Sequence, residues 1–154
     1  MKFLSLTVAA LSVVFATSAF AGGHTGNPAV KARQSHMQLY QFNLGYLGGI
    51  AQGKIDYDAA AAQAAANNLL AMVNMDQSRM WPMNTDEMSI DGTRAKPDLW
   101  ENFGKVIEIS TTLKAAAENM ASVAGNGANA VGGAIGPIGG ACSACHKAFR
   151  APAN

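Results

Sequence analysis

The chain has few charged and few aromatic residues: they make up 14% and 7% of its 154 positions. The scarcity of aromatic and β-branched residues disfavours a β fold, and the abundant alanine favours helices. Eleven Lys and Arg stand against ten Asp and Glu, without a run of basic residues. Such a chain offers little attraction to nucleic acid or an anionic membrane, so we expect neither as its partner.

The sequence also lacks an apolar run of the length needed to span a bilayer, which is about 20 residues. Its apolar N-terminal stretch, residues 3–16, follows Lys2 and precedes Ala19 and Ala21, which have the A-x-A spacing of a signal-peptide cleavage site. We predict that residues 1–21 are a secretory signal peptide, cleaved after Ala21, and that the protein is periplasmic. The mature chain, 22–154, has the length of a single domain.

A first helix is predicted from Pro28, with Asn27 as its cap, to about Gly48 or Gly49, because proline lacks the N–H that would be unpaired at that position. One side of this helix mixes apolar and polar residues, which is unusual for a plain core. That side is predicted to hold Val30, Arg33, Gln34, Met37, Tyr40, Gln41 and Leu44.

A second helix is predicted to start at Asp56 or Asp58 and to end near Met75, since alanine loses no side-chain entropy in a helix. A long connection follows over residues 76–96, and loops of this length in small domains are usually functional or disordered.

A third helix is predicted from Pro97 to Gly125. Glycines and Pro137 interrupt the last segment, so we expect a helix only from about Gly139, after a kinked or frayed approach. Four helices in a chain of this length predict an all-α protein, an antiparallel four-helix bundle.

Both cysteines lie near the C-terminus in the segment GGACSACHKAFR. On a helix, Cys142, Cys145 and His146 project from one face within about a turn. The spacing is compatible with a disulfide, zinc, inert buried thiols or covalent haem c. A thioredoxin-like site needs a βαβ setting that is not visible, and His24 and His36 are poorly spaced as further zinc ligands. Haem uses all three residues, because two thiols add to porphyrin vinyl groups and the imidazole ligates iron.

Four segments of the mature chain resemble, in order, those of the class II cytochromes c, which are cytochrome c′ and its low-spin relatives. The segments are ARQSHM, GKIDYDAA, AKPDLW and CSACHKAFR. The resemblance implies one cytochrome domain over 22–154, with a single covalent haem c attached through Cys142 and Cys145. It also implies that His146 is the proximal iron ligand.

The resemblance suggests roles for further residues around the haem. It implies that Arg33 and Gln34 lie near the haem edge and propionates, and that the loop touches the haem at Thr93 or Arg94. Arg150 falls where the family commonly places a basic residue against the proximal imidazole.

Met37 occupies the position over the distal face of the haem in this resemblance, and we expect its side chain to point into the bundle. His36, about 100° around the helix from Met37, is expected to miss that face. If the Met37 sulfur binds iron, the His/Met ligand pair suits an electron carrier. If it only packs, the iron is five-coordinate and binds small uncharged gases such as NO or CO.

We favour a one-electron carrier that serves redox partner proteins, with gas binding by a five-coordinate cytochrome c′ as the alternative. Nothing in the sequence predicts an enzyme, since the first helix has no distal acid–base pair of the kind peroxide chemistry uses. By resemblance, a homodimer through the first two helices is also expected.

Overall fold

The computed structural model describes residues 26–153 of the chain. The predicted signal peptide, its cleavage site and His24 lie outside these residues. The α-helices are α1 (Pro28–Ala51), α2 (Ala59–Asn74), α3 (Asp98–Glu101), α4 (Phe103–Val123) and α5 (Ala128–Phe149).

The start of α1 is as predicted. The Asn27 side chain accepts hydrogen bonds from the backbone N–H groups of Ala29 (3.0 Å) and Val30 (3.2 Å), while Pro28 occupies the first turn. The helix ends at Ala51, and Ile55 folds back so closely that a Cβ on Gly49 would lie 2.5 Å from its Cδ1. A larger residue at position 49 would therefore require the Ile55 side chain to shift.

The second and third predicted helices are present, and the third is interrupted once. Asp58 caps α2 by accepting a hydrogen bond from the Ala61 N–H at 2.7 Å. Between α3 and α4 the backbone leaves helical geometry at Asn102, with φ −116° and ψ 38°. The Asp98 carbonyl accepts hydrogen bonds from both the backbone N–H (2.9 Å) and the side-chain amide (3.1 Å) of Asn102.

The prediction for the last helix was wrong, because α5 runs without a break from Ala128 through Pro137 and past Gly139. Buried apolar side chains at helical spacing hold this segment against the bundle, and their packing outweighs the weak helix propensity of glycine. These side chains are Val131, Ala134, Ile138 and Ala141.

The four long helices form an antiparallel bundle in which α1 packs against α2 and α5, and α4 against the same two helices. The fully buried centre consists of aliphatic side chains from all four: Val30, Leu47, Leu69, Met120, Val131 and Ile138. The predicted all-α four-helix bundle is thus confirmed. None of the helices within residues 26–153 is long and apolar enough to cross a membrane.

The face of α1 that enters the bundle differs from the predicted one. Its buried residues are Val30, Arg33, His36, Tyr40, Asn43, Leu47 and Ile50. Gln34 and Gln41 are exposed, and Met37 keeps 39% of its surface exposed, whereas His36 keeps 3%. Met37 is thus only partly covered by other residues of the chain, whereas His36 is buried among them. Asn43, on the buried face, accepts a hydrogen bond from Asn68 on α2 at 3.0 Å.

Candidate cofactor site

The last turns of α5 carry Cys142, Cys145 and His146, each half-buried, on one side of the helix. Both thiols are free of a disulfide bond. Burial raises the pKa of both thiols, and Arg150 opposes this effect at Cys145. A redox-active thiol needs the opposite shift, toward the thiolate, so the environment does not favour thiol–disulfide chemistry.

His146 lies in a positively charged surrounding. Burial lowers the pKa of its imidazole, and Arg150 and then Arg94 lower it further by charge repulsion. The ring is thereby held in its neutral form, in which a nitrogen lone pair is available to a metal. Within residues 26–153, no three His, Cys, Asp or Glu side chains are grouped so as to hold an ion. The zinc alternative therefore lacks a donor set there.

An apolar groove of about 510 Å³ lies between the end of α2 and the first half of α4. Its apolar lining comes from Val73, Met75, Trp81, Phe103, Val106 and Ile107. Because α4 and α5 are antiparallel neighbours, Ile107 and Cys145 lie about equally far from the turn that joins them. The groove and the cysteines are therefore at the same level of the bundle, and the volume is within the usual range of cofactor sites, about 300–1,000 Å³.

Tyr40 of α1 connects the groove with the cysteines. Burial raises the pKa of its phenol to about 12, and the Cys142 side chain raises this pKa further. A hydrogen bond with Gln77, which lines the groove, lowers it. The ring of His36 lies 4.6 Å from the Tyr40 ring. Among the described residues, neither nitrogen of His36 has a partner in good hydrogen-bond geometry. Burial lowers the pKa of the imidazole, and a weaker interaction with the Met72 backbone acts in the opposite direction.

Arg33 organises the long connection, which is folded onto α1. Its guanidinium donates to the Thr85 and Thr93 hydroxyls, both at 2.8 Å, to the Thr85 carbonyl, and to the Met80 carbonyl at 3.4 Å. It also lies 5.0 Å from the centroid of the Trp81 ring. Sequence reasoning missed Thr85 and Trp81, because no local pattern signals that a loop residue meets a distant helix.

Two further predicted residues meet at this end of the bundle. The exposed Gln34 amide donates to the Gly92 carbonyl at 2.7 Å, directly beside Thr93, which is bonded to Arg33. The structure therefore brings Arg33, Gln34 and Thr93 together. All four of these Arg33 hydrogen bonds go to residues of the connection over 76–96.

The end of that connection is tied to the end of α5. Lys96 donates its N–H to the Phe149 carbonyl at 3.0 Å, and Ala151 donates its N–H to the Arg94 carbonyl at 2.9 Å. The Arg94 side chain adds two bonds to the Ala151 carbonyl, at 2.6 and 2.8 Å. This pairing places Arg94 beside His146.

The comparison with known proteins identifies the family. The model of the family described as Cytochrome C′ matches residues 28–150, nearly all of the described chain. The chain is a member of the cytochrome c′ family. It is 34% identical to the cytochrome c′ of Allochromatium vinosum over 151 residues, which cover 96% of this chain and 97% of that protein.

Solved structures of cytochromes c′ share the bundle. One from Rhodobacter Spheriodes superposes with a TM-score of 0.79 at 30% identity, over 81% of this chain and 96% of that one. Another cytochrome c′, described for an unusual ligand-controlled dimer dissociation, gives a TM-score of 0.74 at 32% identity, over 80% and 95% of the two chains.

The cofactor of the cytochrome c′ family is one covalently bound haem c. The residues present fit this group: two free thiols about one helical turn apart, and an imidazole next to the second whose lowered pKa favours the neutral form. They fit it better than a disulfide or a zinc ion, each of which would leave part of this set unused.

Proposed function

We propose that this protein is a periplasmic monohaem cytochrome that carries single electrons between redox partner proteins, and that it is not an enzyme. The observation that carries the proposal is the set of two free thiols and a neutral imidazole on one face of α5. In this proposal Cys142 and Cys145 form the thioether bonds and His146 ligates the iron. The bound haem supplies the redox chemistry, since its iron cycles between the ferric and ferrous states.

The surrounding residues hold this arrangement in place. Burial, with Arg150 and Arg94 in addition, lowers the pKa of His146 and so favours the neutral form that can act as a ligand. Gln34 and Thr93 supply polar groups at the end of the bundle where we place the propionates. Arg33 donates hydrogen bonds to Thr85 and Thr93 and so holds the long connection in position at that end of the bundle.

Met37 determines which kind of carrier this is. We propose that its sulfur is a weak sixth ligand, because a thioether is uncharged, soft and needs no deprotonation before it binds iron. Its partial exposure, 39%, is consistent with a side chain directed at a cofactor rather than packed among other side chains of the protein. A weak bond would also be displaceable by CO.

Gas binding is the second candidate function, and the position of Met37 also supports it. None of the hydrogen bonds found in residues 26–153 fixes the Met37 side chain, so it can swing aside and admit NO or CO to the distal face. In the cytochrome c′ described for ligand-controlled dimer dissociation, ligand binding is linked to assembly. On α1, Leu39 (54% exposed) and Phe42 (76% exposed) offer an apolar surface for a homodimer of this chain.

Voltammetry and spin-state measurements on the haem-loaded, exported protein test the proposal. We expect a reversible one-electron wave and a low-spin ferrous spectrum that changes to a CO adduct when CO is added. If the iron is high-spin in both oxidation states, the Met37 ligation is wrong and gas binding takes its place. Absence of a reversible wave would overturn electron carriage itself.

A further inference from the structure

The pairing of the loop with the C-terminal segment gathers basic side chains around His146. A concavity of about 440 Å³ is lined by Arg94, Lys96, Lys147 and Arg150, together with Ser143, His146, Ala151 and Pro152. We call this surface the His146 face. The basic residues come from two segments that are far apart in sequence, which explains why the sequence shows no basic run.

Among the described residues, none of the basic side chains of the His146 face has an ion-pair partner. Within residues 26–153 the structure has one ion pair, Lys105 with Glu108, and it does not involve this face. No carboxylate is among the lining residues of the concavity. A protein of nearly zero net charge therefore gathers four basic side chains around this concavity.

This surface lies where an electron would enter or leave. The imidazole of His146 is half-buried and itself lines the concavity, so a partner seated there would lie next to the proposed iron ligand. Positive and negative surfaces steer two proteins into the encounter orientation and raise the association rate. The positive charge of the His146 face would therefore guide a partner to the side of the protein on which His146 lies.

We propose that the His146 face is the docking surface for a redox partner that presents an acidic surface of Asp and Glu side chains. The inference rests on the proposed electron carriage and specifies its partner. A protein partner is favoured over a membrane because the face is concave and its lining includes no large exposed apolar side chain that could insert into lipid.

The test compares two charge reversals in the haem-loaded protein, Lys147→Glu on the face and Lys54→Glu in the exposed turn after α1. Both replace an exposed lysine and change the net charge equally. Binding of poly-L-glutamate, a model acidic polypeptide, is measured by calorimetry at about 0.01 M salt, where the Debye length is about 30 Å, and at about 1 M, where it is about 3 Å.

We expect saturable binding at low salt that is lost at high salt. Lys147→Glu should lower the affinity for poly-L-glutamate by about fivefold, which corresponds to the upper end of the free energy of one exposed charge pair. Lys54→Glu should lower the affinity by less than about twofold. The double variant Lys96→Glu with Lys147→Glu should weaken it further. Equal effects of Lys147→Glu and Lys54→Glu would overturn the proposal, because the net charge would then explain the binding.

A kinetic measurement tests the same surface with small reagents. Lys147→Glu should slow oxidation of the ferrous protein by ferricyanide, an anion, and speed oxidation by tris(phenanthroline)cobalt(III), a cation, whereas Lys54→Glu should change neither. If both rates are unchanged in Lys147→Glu, the face is not the route of electron exchange.

Two controls separate the possible failures. Reversible voltammetry of every variant shows that electron carriage is intact, so a failed docking test then concerns the His146 face alone. Sedimentation with phosphatidylglycerol vesicles tests the membrane as partner. The proposal of a protein partner would be overturned if the protein bound these vesicles but not poly-L-glutamate, and if Lys147→Glu abolished the vesicle binding.

Discussion

Arg33→Lys tests whether the buried guanidinium holds the long connection on the bundle. The lysine keeps the positive charge and most of the length, but a single ammonium does not reproduce the planar fork that reaches Thr85 and Thr93 together. We expect two of the three short bonds to be lost. A bond from a charged donor contributes about 1.5–3 kcal/mol net, and Thr85 keeps its own bond to the Pro82 carbonyl, so the expected loss of unfolding free energy is about 3 kcal/mol.

The assay is urea unfolding of the haem-loaded protein, followed by far-UV circular dichroism. The matched control is Gln34→Ala, which removes an exposed bond from the adjacent residue to the same connection and should cost less than about 1 kcal/mol. If Arg33→Lys costs no more than Gln34→Ala, the buried bonds of Arg33 do not stabilise the connection and the argument fails.

Three further predictions concern the haem and its surroundings. Replacing Cys142 and Cys145 together by Ala should leave a haem that organic solvent extracts, and should lower the melting temperature, because a cofactor that binds only the folded state stabilises it; an unchanged melting temperature would count against a haem in the bundle. Met37→Ala should make the ferrous protein high-spin and speed CO binding; identical spectra before and after the change would exclude ligation. Tyr40→Phe should reduce the loss of stability above pH 10. Burial raises the pKa of Tyr40 in the folded protein to about 12, so the unfolded chain releases this proton at a lower pH, and the free energy of unfolding falls as the pH rises toward 12. The control is Tyr46→Phe, which changes a half-buried tyrosine of the same helix, and an equal alkaline loss in both variants would show that Tyr40 is not responsible.

The periodicity and the end signals of the sequence predicted most of the fold. Asn27 with Pro28, Asp58 and the alanines of α2 are local signals, and each matches a helix in the structure. The start of α5 could not be predicted in this way, because its glycines disfavour a helix locally. Burial of Val131 and Ile138 against other helices decides the outcome, and this is a tertiary effect.

The candidate site was predicted in part for a similar reason. The spacing of Cys142, Cys145 and His146 is local and was visible in the sequence. The buried face of α1 is decided by its packing against the other helices, so the burial of His36 was not predictable from α1 alone. The His146 face depends on the pairing of Arg94 and Lys96 with the end of α5, and no sequence pattern indicates it.

Intact-mass measurement of the exported protein under denaturing conditions tests the central claim, that Cys142 and Cys145 hold a haem covalently. The protein must be produced in a host competent in c-type haem attachment. We predict the mass of the chain from Gly22 to Asn154 plus one haem, which denaturation and organic solvent do not remove. A colourless protein with the mass of the bare chain, or a haem that solvent extracts, would contradict the claim.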